Sequence, residues 1–285
     1  MQQDIKLYEK RVVVDKEYPF DLQNNIYKHN NIYFGFNPHW HEAIEVRYTV
    51  AGEMEVFLDQ QKYILKQGDF CIANSNVLHS GNAIYSPDWE EMVIILDLSI
   101  LSGKLASRNI VFQPLISGDG VIEELMLKIR QEYIDKNLEY QLTIKGYVLQ
   151  LFAYLSRYYI KEELTEKESV RRLQKLERFT PVIRYIGAHY SEPVSNSELA
   201  EIVHLGEDRF NHLFKEVMGI SPLQYINSFR MEKAMHLLKM GQYTPAEVAE
   251  QVGIMDYNHF GRLFRRTYGC TPSQILKDGG VSTET

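Results

Sequence analysis

Leu199-Ala-Glu-Ile-Val-His-Leu-Gly-Glu-Asp-Arg-Phe-Asn-His-Leu-Phe-Lys-Glu-Val-Met-Gly219 and Val248-Ala-Glu-Gln-Val-Gly-Ile-Met-Asp-Tyr-Asn-His-Phe-Gly-Arg-Leu-Phe-Arg-Arg-Thr-Tyr-Gly269 are two versions of one unit. Phe214, Gly219 and Pro222 recur 50 residues on as Phe264, Gly269 and Pro272, whereas Leu199 and Val203 recur 49 residues on as Val248 and Val252. The second copy therefore carries one extra residue between Ile254 and Phe260, and an insertion inside a repeat belongs in a turn.

Each copy reads as a short helix, a turn and a second helix: Ser197 to Val203 then Glu207 to Met218, and Pro245 to Val252 then Tyr257 to Tyr268. Thr244 before Pro245 is an N-cap followed by proline at the first helical position. Gly219 and Gly269 stop the second helices, with Pro222 and Pro272 three residues beyond. Two helices joined by a tight turn cannot bury their apolar faces alone, so the segment Pro222 to Met240, with Tyr225, Ile226, Phe229, Ala234, Leu237 and Leu238, is expected as the long helix that completes both units.

Such a pair is a helix-turn-helix, whose second helix enters the major groove. In the first copy Phe210, Leu213, Phe214 and Val217 form the apolar stripe, leaving Asp208, Arg209, Asn211, His212 and Lys215 outward. In the second, Phe260, Leu263 and Phe264 are inward, leaving Asn258, His259, Arg262, Arg265 and Arg266. Arg262 can pair with guanine and Asn258 with adenine, while Lys215, Arg265 and Arg266 suit phosphates. Residues 176–278 resemble the AraC/XylS family of transcription regulators in Leu199-Ala200, the Phe214-Lys215 and Phe264-Arg265 pairs, the Gly219-x-Ser-Pro and Gly269-x-Thr-Pro endings, and the Arg230, Ala234, Leu237-Leu238 spacing. The resemblance implies two recognition helices on one subunit, entering successive major grooves of a double-stranded DNA operator. Gly206, where the family often has a capping Ser, and Asp208, an anion at a base-facing position, depart from the pattern.

Upstream the text is strand-like: Arg11 to Val14, Glu45 to Val50, Glu53 to Leu58, Tyr63 to Leu65, Asp69 to Ala73 and Met92 to Leu98, with turns at Ala51-Gly52, Asp59-Gln60 and Gln67-Gly68-Asp69. A sandwich or barrel is expected. From 121 to 160 the period changes to helical: Ile122, Leu125, Ile129 and Tyr133, then Leu142, Tyr147, Leu151, Tyr154, Leu155 and Tyr158. These two helices are expected to pack on the barrel or to pair with a second copy. The charged stretch Lys161 to Ser169 lacks an apolar face and is expected as a linker or helix end.

Gly35, His39-Trp40-His41, Glu45, Gly52 and, after Gly68-Asp69, His79 resemble a cupin barrel motif. Strand alternation puts His39, His41 and Glu45 on one face. Three imidazoles and a carboxylate are the donors a divalent transition metal takes. Asn74 and Asn76 replace the proline and glycine of the second cupin motif, and family sensors keep cupin-like barrels without catalysis. A hydrogen-bonded polar lining for a small effector such as a sugar is therefore the favoured reading, with no cofactor required; a metal-dependent cupin enzyme using His39, His41, Glu45 and His79 is the alternative. Trp40, Arg47, Tyr48 and Trp89 join the candidate effector residues.

The expected architecture is α+β: a cupin-like β-barrel over 1–110, a dimerising helical segment over 111–165, a linker over 166–175, and an all-α DNA-binding domain over 176–279 with helix-turn-helix units at about 196–218 and 245–268. Composition agrees with globular domains, at 45% hydrophobic and 24% charged residues. The net charge of −7 is concentrated in residues 1–170, which carry −8, while residues 171–285 carry +1. Two cysteines, Cys71 and Cys270, give neither a disulfide framework nor a zinc finger and read as small buried hydrophobes. The start MQQDIKLYEK lacks the pattern of a signal peptide and no apolar run spans a bilayer, so a cytoplasmic protein is expected; the regulator reading adds a non-enzymatic homodimer, with RNA polymerase as a candidate partner.

Overall fold

The computed structural model describes residues 8–9, 18–28, 35–59, 61–83, 88–98, 101 and 109–279. In chain order its elements are β1 (Phe20–Lys28), β2 (Gly35–His39), β3 (Ile44–Ala51), β4 (Glu53–Leu58), β5 (Gln61–Lys66), β6 (Phe70–Ala73), β7 (His79–Ala83), β8 (Asp88–Leu96), β9 (Ile110–Phe112), β10 (Leu115–Ile116), α1 (Gly120–Asp135), α2 (Tyr140–Tyr158), β11 (Ile160–Glu163), α3 (Glu166–His189), α4 (Asn196–Ile202), α5 (Glu207–Met218), α6 (Pro222–Met240), α7 (Pro245–Gln251), α8 (Tyr257–Tyr268) and α9 (Pro272–Gly279). They form two compact units, Tyr8–Glu177 and Arg178–Thr285. Among the described residues no helix is long and apolar enough to cross a membrane.

The first unit contains a five-stranded sheet, β1-β8-β3-β6-β10, and a four-stranded sheet, β2-β7-β4-β5. Chain reversals between strands use left-handed backbone at Gly52 (φ 83°), Asp59 (φ 53°) and Gly68 (φ 86°), the turns expected from sequence. Because strand side chains alternate, β3 and β8 each present two kinds of face. Ile44, Val46, Tyr48, Met92, Ile94 and Leu96 pack with Ile122, Met126, Ile129, Val148, Leu151 and Phe152 of α1 and α2 in one apolar core. The opposite face packs Cys71, Ala73 and Trp89 with Met54, Val56, Leu58 and Leu65 of the second sheet. Helices α1 and α2 thus cover the outside of the five-stranded sheet, one of the two roles expected for them.

Several expectations need correction. Residues 166–175, expected as a linker, are the opening turns of α3, where Thr165 and Glu168 cap the helix reciprocally: the Thr165 N–H reaches Glu168 Oε2 at 2.8 Å and the Glu168 N–H reaches Thr165 Oγ1 at 3.3 Å. The charges of this stretch occupy the exposed side while Leu176, Phe179, Val182, Ile183 and Ile186 make a buried helical stripe. Residues 111–112 and 115–116, at the start of the expected helical segment, lie in strands, β9 pairing with β11 and β10 with β6. Lys161–Glu163 accordingly lie in a strand. The Arg11 to Val14 strand lies outside the described residues. Cys71 is buried and burial pushes its thiol up to about 12, whereas Cys270 is only half-buried.

In the second unit Phe179 packs edge-on against Phe214, with ring centroids 5.4 Å apart, and Phe214 against Tyr225 at 5.9 Å. The two faces of α6 bury Tyr225, Ile226, Phe229, Met231, Ala234, Met235 and Leu238, so this one helix serves both flanking units. Arg230 fastens it to the chain after α3, donating to the carbonyls of Tyr190 (2.7 Å) and Glu192 (2.8 Å).

Candidate nucleic-acid interface and a buried histidine cluster

The two helix-turn-helix units close by the same local chemistry. Ser195 caps α4 in a capping box with Glu198, and Thr244 caps α7 in one with Glu247. The turn spans 203–206 in the first copy and 252–256 in the second, which is where the extra residue sits. His204 (φ 54°) and Gly253 (φ 76°) occupy the same left-handed step, and Gly219 (φ 74°) and Gly269 (φ 73°) end the second helices.

The second helices differ at their starts. Asp256 caps α8, accepting from the Asn258 and His259 N–H groups at 2.8 and 3.1 Å, and these bonds hold its carboxyl below the usual carboxylate range. Gly206 offers α5 no side-chain cap, and Glu207 and Asp208 fill its first turn. On α8, Phe260, Leu263, Phe264 and Tyr268 are buried while Asn258, His259, Arg262, Arg265 and Arg266 are exposed. On α5, Phe210, Phe214 and Met218 are buried, Leu213 and Val217 half-buried, and Asp208, Arg209, His212 and Lys215 exposed. Asn211 is half-buried, with its Oδ1 turned inward. Met255 (79% exposed) and Tyr257 are apolar surface at the start of α8 that sequence periodicity passes over, because they precede the helical stripe.

In the first unit, β2, the β2–β3 connection, β3 and β7 bring His39, His41, Glu45 and His79 together, with one ligand atom from each lying within 4.8 Å of the others. His41 Nε2 is 3.4 Å and His79 Nε2 3.7 Å from Glu45 Oε2. Arg47 donates Nε to Glu45 Oε1 at 2.6 Å and NH1 to Glu91 Oε1 at 2.8 Å, and its guanidinium lies over the Phe36 ring at 4.0 Å. Asn25 donates to the same Glu91 oxygen at 2.9 Å. Burial opposes the charge of Glu45, but Arg47, His41 and His79 outweigh it and hold the carboxyl well below the usual range. Burial dominates at Glu91 and raises it despite Arg47.

Of the other candidate effector residues, Trp89 is buried between the sheets. Trp40, in an isolated bridge with Tyr8 just after β2, packs on the Tyr8 ring with centroids 4.6 Å apart. Tyr48 does not face the cluster: it lies in the core under α1, since period-two alternation cannot send both Arg47 and Tyr48 to one face. Glu91, which sequence reading missed, shared a signal with Trp89, two residues away on the same face of β8. Asn76 (φ 57°) holds the left-handed conformation for which a glycine is the usual choice, and the Asn74 amide exchanges two bonds with the Phe112 backbone at 3.0 and 2.8 Å.

Two family models match this chain: an AraC-like ligand binding domain over residues 27–152 and a helix-turn-helix domain over residues 199–278. The probable transcriptional regulator LumQ of Photobacterium leiognathi is 25% identical over 243 residues, 83% of this chain and 90% of its own length. The HTH-type transcriptional activator RhaS of Shigella dysenteriae serotype 1 is 24% identical over 233 residues, 80% of this chain and 77% of its own. Crystalline ToxT of Vibrio cholerae, bound to an unsaturated fatty acid, superposes with a TM-score of 0.48 at 15% identity, covering 93% of this chain and 98% of its own. A sheet-rich ligand-binding domain followed by a doubled helix-turn-helix, each matched by its own model, makes this chain a member of the AraC family of DNA-binding transcription regulators.

Proposed function

We propose that this regulator reads a bipartite operator through α5 and α8 and is controlled by a small polar effector, such as a sugar, bound in the sheet-rich unit. The observation that carries the first part is the doubled unit itself: each copy buries one aromatic stripe and turns a polar, cation-bearing face of its second helix to solvent. Arg262 and Asn258 suit base edges, and Lys215, Arg265 and Arg266 suit phosphates. The α8 face holds three arginines and no anion beyond its capping Asp256, whereas α5 opens with Glu207 and Asp208, so α8 contributes more of the affinity.

Polar groups buried between the sheets, with Trp89 beside them, support a ligand that is oriented by hydrogen bonds rather than by apolar contact alone. The reading assigns no catalysis; it places the protein in the cytoplasm with DNA, with RNA polymerase as the machinery acted upon and a second copy as partner through α1 and α2. Selection of random duplexes on the full chain at fixed physiological salt tests it, since phosphate contacts make affinity salt-dependent. The expected result is a motif of two blocks about one helical turn, roughly 34 Å, apart. Recovery of no motif would reject the operator reading.

A further inference from the structure

The turns of the two helix-turn-helix units match bond for bond except at one residue. The Leu205 N–H reaches the Ala200 carbonyl at 3.0 Å and the Ile254 N–H reaches the Ala249 carbonyl at 2.9 Å, an offset of 49 between the copies. The Phe210 N–H reaches the Gly206 carbonyl and the Phe260 N–H the Asp256 carbonyl, both at 2.9 Å, an offset of 50. Only Met255 stands between Ile254 and Asp256, so Met255 is itself the extra residue of the second copy.

Its side chain goes to water. Met255 directly precedes the cap Asp256, a place from which an apolar residue often packs back on the fourth helical residue, here Phe260. At 79% exposure it does not close that contact, and Phe260 is buried without it. Tyr257, the first residue of α8, is also exposed, although its ring centroid lies 6.3 Å from that of Phe260 and is steadied there. Single apolar side chains on a surface are ordinary. These two flank one residue at the start of a helix that turns Asn258, His259 and Arg262 outward. In the first copy nothing matches Met255, and Glu207 stands where Tyr257 does, so the apolar pair belongs to the second unit alone.

The surroundings say what the pair meets. Arg265 and Arg266 lie exposed in the last turn of α8 and suit a polyanion. Two of the first amides of α8 are not free for a phosphate, because Asp256 already accepts from Asn258 and His259 at 2.8 and 3.1 Å. The start of the helix therefore meets the groove with side chains rather than with backbone. Gly261, one turn beyond Tyr257, has nothing within 4 Å of the place a Cβ would take, which leaves that side of α8 open to close approach. Among the base edges of the major groove, the one apolar group is the C5-methyl of thymine.

We propose that Met255 and Tyr257 read thymine through its methyl group, Met255 with its unbranched thioether chain and Tyr257 with the face of its ring. The α8 half of the operator then carries thymine beside the bases that Asn258 and Arg262 contact. This rests on the reading of α8 as a recognition helix and adds a base preference that its polar residues do not supply.

The test is a deoxyuridine scan of the selected operator with the full chain. Each thymine is replaced in turn by deoxyuridine, which keeps every hydrogen-bonding group and lacks only the methyl, and affinity is read by fluorescence anisotropy at fixed salt. At one or two thymines of one half-site the parent chain is expected to lose about threefold to fivefold per methyl. Met255→Ala and Tyr257→Ala are each expected to bind the thymine operator more weakly and to lose the distinction from deoxyuridine at one position, with unchanged thermal unfolding; Tyr257→Phe keeps it. A motif without thymine, indifference of the parent chain to deoxyuridine at every thymine, or a methyl dependence that persists in both alanine variants overturns the inference and leaves the operator reading standing. A selection that returns no motif overturns both.

Discussion

Gly253 and Gly261 stand eight residues apart and meet opposite constraints. At Gly253 (φ 76°) a Cβ would lie 2.4 Å from the Ser191 carbonyl oxygen, whereas at Gly261, inside α8, nothing stands within 4 Å. Gly253→Ala is therefore expected to cost at least about 2 kcal/mol from left-handed strain and collision, and Gly261→Ala to add about 0.5–1 kcal/mol through helix propensity. Thermal unfolding of the two variants checks both signs. At the DNA-facing positions the residue types separate base reading from charge. Arg262→Ala is expected to cost about 1–3 kcal/mol of operator affinity and to relax one position of the site, while Lys215→Ala lowers affinity evenly and reduces the salt slope by about 1. Competition binding against single-base operator variants over a salt series reads both; unchanged selectivity in Arg262→Ala would remove it from the base-reading set.

Capping residues decide where helices begin. The Thr244 N–H reaches Glu247 Oε2 at 2.7 Å and the Glu247 N–H reaches Thr244 Oγ1 at 3.3 Å, so Thr244→Ala leaves an amide of α7 without its partner. A loss of about 1 kcal/mol in denaturant unfolding is expected. Asp119 ties three parts of the first unit together. It caps α1 through the Val121 and Ile122 N–H groups at 2.9 and 3.0 Å, and accepts from Tyr159 (2.6 Å) and Tyr154 (3.0 Å) at the end of α2. Partial burial works against its charge, but the Tyr159 hydroxyl and the backbone N–H groups prevail and hold its carboxyl low; the same bond pushes the Tyr159 hydroxyl up to about 12. A carboxyl lowered on folding stabilises above its unfolded value near 4 and loses that contribution as pH falls through the folded value. Unfolding measured between about pH 5 and 2 is thus expected to be less pH-sensitive in Asp119→Asn than in the parent chain.

At the scale of the molecule, α1 and α2 leave apolar side chains in water after covering the sheet: Leu127 (41% exposed), Ile134 (47%), Leu142 (66%) and Leu149 (44%). The same helices already bury a full stripe inward, so this second set has no partner within the unit's core. If it pairs two copies, Leu142→Glu with Leu149→Glu converts a dimer to a monomer in sedimentation velocity without changing the circular-dichroism spectrum. A dimer that survives both substitutions would place the contact elsewhere. Effector control of DNA binding would then be a coupling worth about 5–150-fold in affinity, measured as the shift in operator Kd with effector present.

The doubled unit was legible in the sequence because its determinants are local: proline and glycine punctuation, caps within three residues, and an aromatic stripe at helical spacing. The same locality located α5 and α8 and the turn carrying the extra residue. Period-two alternation likewise grouped His39, His41 and Glu45. Helix α3 was hidden because its charged opening masks the stripe from Leu176 to Ile186. Only the tertiary structure decided which face of β3 meets the helices and which meets the second sheet, and so separated Tyr48 from Arg47. It alone joined Glu91 on β8 to Arg47 and Glu45 on β3, since that network depends on the register of strands whose bonded residues stand 44 positions apart in the chain. Local rules set the elements; the pairing of distant strands set the chemistry between them.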